Sequence, residues 1–71
     1  MKPGTVCRVR TDIDPALPWA APGSIVEIVG NNMLLPKARL LFGAYRDESR
    51  EQYAEREGCL IFDPEELEEL K

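Results

Sequence analysis

The chain has 71 residues, a net charge of −4 and no histidine. That length bounds it to one domain, residues 1–71, burying only about 60% of its unfolded surface in one small core. The missing histidine removes His-based acid–base catalysis, Ser-His and Cys-His nucleophilic pairs and most zinc sites. No apolar run approaches the ~20 residues that span a bilayer, so no membrane partner is expected. Met1 to Thr5 lacks the hydrophobic segment of a secretory signal, and the expected setting is the cytoplasm.

Thr5-Val6-Cys7-Arg8-Val9-Arg10 alternates with period two, as a half-buried strand does. Cys7 and Val9 are placed inward, Arg8 and Arg10 outward. Residues 11–23 hold three prolines and a glycine, which excludes helix and central strand. Ile13, Leu17 and Trp19 are too apolar for a free linker, so the segment reads as a loop folded over the core. Trp19 is then either its plug or an anchor for a partner.

Pro22-Gly23 opens a β-branched run, and Ser24–Val29 is the second strand. Gly30-Asn31-Asn32 tolerates positive φ and reads as the turn that follows. Pro36 stops any helix after Met33-Leu34-Leu35. Lys37 to Phe42 alternates again as a third strand, with Ala38, Leu40 and Phe42 on one face and Lys37, Arg39 and Leu41 on the other.

Residues 44–57 are densely charged and contain neither glycine nor proline. Ser49 and Gln52 have capping-box spacing, and Gly58 sits where a helix-ending glycine would. A short helix over 48–57 is preferred to a mobile hairpin loop. Cys59 to Phe62 is a fourth strand. Asp63-Pro64-Glu65-Glu66 is a helix start, with an Asp cap and proline at the first position. Leu67 and Leu70 would lie on the apolar edge of that terminal turn, with the four glutamates at 65, 66, 68 and 69 in water. The shared core is expected to comprise Cys7, Val9, Val26, Ile28, Leu40, Phe42, Leu60 and Phe62.

The fold class is therefore mainly β: a small, bent antiparallel sheet or barrel with a short helix and a C-terminal helical turn. Gly4 to Val9, the long loop 11–23, Pro22 to Val29, and Leu60 to Leu67 together resemble the SH3-like small-barrel superfamily. Many small bacterial and phage proteins share this layout. The likeness covers most of the chain and implies a fold, not an activity. The chain departs from peptide-binding SH3 domains in having only Trp19 among the aromatics of the first loop.

No catalytic set, cofactor site or metal site emerges, and a non-enzymatic protein is expected. Cys7 and Cys59 fall short of the four ligands of a closed zinc site. They are either two free apolar thiols or a bridge, and a cytoplasmic setting favours the thiols. Charge is uneven. Residues 1–42 carry five cations against three acids, a net +2, and residues 43–71 carry four against ten, a net −6. The expected function is a protein-interaction or assembly module. It would present Trp19, Leu41, Met33-Leu34-Leu35, Tyr45 and Tyr53 to a protein partner or a second copy. The alternative is a nucleic-acid-associated module using Arg8, Arg10, Lys37 and Arg39 as a basic face, which the overall acidity disfavours. A further possibility is that Glu27 and the acidic segment 47–57 neutralise that face.

Overall fold

A computed structural model of the chain describes residues 1–12 and 19–70. Ile13 and Leu17 of the first loop lie outside the described residues. The chain forms β1 (Val6–Val9), β2 (Ile25–Asn32), β3 (Leu35–Phe42), α1 (Glu48–Glu57), β4 (Leu60–Ile61), a 3-10 turn (Pro64–Glu66) and β5 (Leu67–Glu69). The strands make one antiparallel sheet in the order β4-β3-β2-β1-β5. Of the two expected architectures the open sheet is the one formed; the sheet is not closed into a barrel.

There are five strands rather than four. The C-terminal helical turn exists, with Asp63 accepting from the Glu65 N–H at 3.0 Å. It is a single 3-10 turn, after which the chain extends and pairs with the free edge of β1, Leu67 opposite Val9 and Glu69 opposite Cys7. Three residues are too few for a stable helix, and an unpaired strand edge offers them backbone partners. Leu67 is buried while Leu70 stays 41% exposed, so the two leucines share no apolar edge.

The hairpin between β2 and β3 is longer than its sequence signals suggest. Gly30, Asn31 and Asn32 are not the turn but the end of β2, opposite Lys37, Pro36 and Leu35. A register shift at Val29 lets the ladder run on, and the two-residue turn falls on Met33-Leu34. Met33 has φ 58, a conformation usually given to Gly or Asn. Pro36 fits inside β3 because its position lacks only a donor, while its carbonyl accepts from the Phe62 N–H at 2.9 Å.

Helix α1 spans the expected residues, but its cap is Asp47 and not Ser49. The Asp47 carboxylate accepts from the Arg50 N–H at 2.9 Å and from the Ser49 hydroxyl at 2.8 Å. An ionised carboxylate at this position satisfies an orphan donor and also suits the helix dipole. Gly58 ends the helix at φ 81, donating to the Ala54 carbonyl at 2.7 Å. Ala54 is the only helix residue buried among the core side chains.

Cys7, Val9, Val26, Ile28, Ala38, Leu60, Phe62 and Leu67 fill the inner face of the sheet, joined by Ala20 and Ala54. Leu40 packs against them half-buried. Phe42, expected in the core, is 75% exposed. The cause is a second register shift. Ile25 pairs with Phe42 and Val26 with Leu40, so Leu41 is an extra residue on β3. A bulge of this kind ends the strict alternation and re-aims the side chains beyond it.

Candidate functional site

Trp19, Tyr45 and Tyr53 lie close together, joined through the first loop and α1. Trp19 and Tyr53 have ring centroids 5.9 Å apart at a 32° tilt. The Arg50 guanidinium stands 5.0 Å from the Trp19 ring and that of Arg56 5.2 Å from the Tyr53 ring. Tyr45 joins them through a backbone bridge to Ala20, and the Arg46 N–H donates to the Trp19 carbonyl at 3.0 Å. All three aromatics are partly buried and pack on the core. The Trp19–Tyr53 and Trp19–Arg50 contacts tie α1 to the end of the first loop, support that a helix burying one alanine needs from its neighbours.

Leu41 is not part of this cluster. It stands 48% exposed on β3 beside Phe42, whose strand partner Ile25 is half-buried. The bulge thus creates a small apolar step at the base of the hairpin. At the hairpin's other end Met33 and Leu34 are 92% and 91% exposed. Phe42 is the surface residue the sequence concealed, because only the register shift brings it out.

The four basic candidates do not form one free patch. β2 lies between Arg8 on β1, with Arg10 just past that strand's end, and Lys37 and Arg39 on β3. Arg8 pairs with Glu68 at 2.9 Å and Arg10 with Asp12 at 2.7 Å. Arg39 pairs with Glu27 at 2.6 Å. The first and third of these join residues directly opposite each other on neighbouring strands. Glu27 therefore neutralises Arg39 as expected, whereas the acids facing Arg8 and Arg10 come from β5 and the first loop rather than from 47–57. Lys37 has no ion pair among the described residues.

Three carboxylates depart from ordinary behaviour, one upward and two downward. Burial pushes the Glu66 carboxyl up, and its Oε2 is buried without a hydrogen-bond partner. Glu66 is thus partly buried, unlike the water-facing side chain expected at that position. Hydrogen bonds from the Arg50 N–H and the Ser49 hydroxyl hold Asp47 down, and the bond from Arg10 does the same for Asp12. Both cysteines are free thiols, Cys7 buried and Cys59 half-buried. Burial raises the Cys7 pKa, with a further push from Glu69, which makes it a poor nucleophile.

An open cleft of about 560 Å³ is lined by Arg10, Thr11, Asp12, Leu67 and Glu68. Its arginine and one of its carboxylates are already paired with each other. Among the described residues no group of three or more His, Cys, Asp or Glu could hold a metal ion. No family model, no curated protein and no solved structure matches this chain.

Proposed function

We propose that the chain is a non-enzymatic protein-interaction module that seats a partner on the apolar step of Leu41 and Phe42. One observation carries this reading: a bulge turns outward a phenylalanine that unbroken alternation would bury. A phenylalanine left 75% exposed gains little from folding, while a large aromatic is well suited to anchor an interface. The flanking Ile25 extends the step, and the aromatic cluster around Trp19 holds the neighbouring segment in place.

The SH3-like resemblance stands on the same footing as this reading. The long first loop, the extended β2–β3 hairpin and the 3-10 turn before the last strand support it. A cytoplasmic setting is supported by two free thiols. The nucleic-acid reading has less behind it, because Arg8, Arg10 and Arg39 each already face a carboxylate.

A photo-crosslinking amino acid at position 42 tests the proposal in the host cell. It should capture one protein saturably, and excess unlabelled chain should compete while a Phe42→Ser chain should not. Capture at the exposed helix position Glu55 with equal yield would overturn it.

A further inference from the structure

The tip of the β2–β3 hairpin concentrates apolar surface and unpaired positive charge. Met33 and Leu34 form the apex at 92% and 91% exposure, flanked by Leu35 at 41% and, further along β2, Val29 at 43%. Four of the eight large apolar side chains exposed among the described residues are therefore towards this end of the hairpin. The start of the chain lies along the neck of the hairpin, where the Asn31 side-chain amide donates to the Met1 carbonyl at 3.0 Å. That places Lys2 on one side of the neck, while Lys37 stands opposite Gly30 on the other. Arg8, Arg10, Arg39, Arg50 and Arg56 are all ion-paired; among the described residues these two lysines are not, nor is Arg46, which lies beside Trp19.

We infer that this tip docks on an anionic lipid surface, with Met33 and Leu34 entering the headgroup–acyl boundary and Lys2 and Lys37 against the headgroups. The charge pattern selects this occupant. A second copy placed tip to tip would bring four lysines together against only the Asp63 carboxylate of each copy. A folded protein partner would have to hold on to a two-residue apex, where stable interfaces use about 20–30 residues a side. A lipid surface needs no matching shape, and insertion by about 5–10 Å keeps the backbone of the turn among polar headgroups. Lysine stems can lie along the apolar rim with their ammonium groups outward, and anionic lipid attracts each one.

The chain's net negative charge does not oppose this arrangement strongly. The −6 of residues 43–71 is distributed over a body 28 × 27 × 21 Å in extent, whereas the field of a membrane decays within about 8 Å at physiological salt. Asp63 follows Phe62, whose N–H donates to the Pro36 carbonyl, so the neck carries one acid against its two lysines. No helix among the described residues is long and apolar enough to cross a membrane, so the attachment is peripheral.

Flotation of the whole chain with phosphatidylcholine vesicles, with and without phosphatidylglycerol, at low and high salt, tests the inference. Binding should require the anionic lipid and weaken as salt rises. Met33→Asn with Leu34→Ser should reduce it by about tenfold or more, with the thermal midpoint unchanged, since both side chains are in water and Asn accepts positive φ. Lys2→Gln with Lys37→Gln should reduce binding and flatten its salt dependence. Phe42→Ser should leave it intact, which separates this surface from the protein-docking step. No flotation with anionic vesicles at low salt would overturn the inference, as would equal flotation by the Met33→Asn, Leu34→Ser chain. So would a concentration-dependent dimer in sedimentation velocity that the same double substitution abolishes without any vesicle binding.

Discussion

β1 and β3 carry the same alternating pattern in sequence, and only β1 keeps it in space. Cys7 and Val9 are fully buried with Arg8 outside between them. In β3 the pattern holds at Ala38, weakens at Leu40 and fails at Phe42. The difference lies in their neighbours. β1 is paired on both sides, by β2 and β5. β3 is paired on both sides only at Lys37 and Ala38, where β4 reaches it. A strand held from both sides must keep its register, whereas a strand end held from one side can take an extra residue. One inserted residue is enough to exchange inside and outside for all that follows.

The largest expected effect sets the two phenylalanines against each other. Phe62 is 1% exposed at the centre of the core, and Phe62→Ala should remove about 3–5 kcal/mol in denaturant unfolding. Phe42→Ala should stay within about 0.5 kcal/mol, as surface substitutions do. Val26→Ala, at 1% exposure on the unbroken part of β2, should fall between them at about 1–3 kcal/mol. A loss at Phe42 as large as that at Phe62 would mean that the bulge at Leu41 does not exist in solution.

The two glycines near the register shifts make the next comparison. Gly43, just past the Leu41 bulge, has φ 117, and a Cβ there would overlap the Ser24 side chain and sit 2.9 Å from its Cα. Gly43→Ala should cost about 1–3 kcal/mol through backbone strain and this clash. Gly30, just past the Val29 shift, has an ordinary φ, and a Cβ added there would meet nothing within 4 Å. Gly30→Ala should therefore be neutral or stabilising by about 0.4–1 kcal/mol. Equal costs at both positions would show that the two shifts are held by the same kind of backbone geometry.

How much of this was legible depended on whether the deciding interaction was local. The helix over 48–57 was readable because charge density, the absence of Gly and Pro, and Gly58 all act within a few residues. Its cap was displaced by two positions because Asp47 and Ser49 are both good caps, and only the geometry at Arg50 chooses. β5 was invisible, since Leu67–Glu69 becomes a strand only by pairing with a segment about sixty residues earlier. The turn at Met33-Leu34 was hidden behind Gly30-Asn31-Asn32, which has the better turn chemistry but was absorbed into β2 by the shift at Val29. Phe42 was misplaced for the same reason. Of the basic residues that alternation turns outward, Arg8 and Arg39 are exposed and Arg10 and Lys37 half-buried. The carboxylates that pair with Arg8 and Arg39 became identifiable only once strand order and register were known.

Glu66 and Asp47 should give opposite pH responses. The folded-state pKa of Glu66 is raised, so its contribution to stability is fully present below its ordinary value of 4.5 and is lost as pH rises through the folded value. Glu66→Gln should then stabilise the domain at neutral pH, and the gain should vanish on acidification. The pKa of Asp47 is lowered, so its contribution is present above 3.8 and lost as pH falls through the folded value. Asp47→Asn should destabilise at neutral pH and converge with the parent in acid. Thermal midpoints measured across roughly pH 3–8 check both. A Glu66→Gln gain that persisted in acid would point to a steric origin instead.

The smallest effect concerns the two ion pairs on the outer face of the sheet. Arg8–Glu68 and Arg39–Glu27 join directly opposed residues on neighbouring strands. They differ in setting. The Arg8 and Glu68 side chains are 47% and 53% exposed, whereas the Glu27 side chain is only 27% exposed beside Arg39. Both pairs should be worth about 0–1 kcal/mol in double-mutant cycles. The Arg39–Glu27 pair should lie at the upper end and persist better in high salt, because water and ions reach its carboxylate less easily. Truncating all four side chains should therefore leave the fold intact. That result would show that backbone pairing and the core hold the register, with the opposed charges adding only a small preference for it. A coupling at Arg8–Glu68 that exceeded the one at Arg39–Glu27 would reverse this ranking, and would locate the stronger constraint at the β1–β5 closure of the chain's two ends.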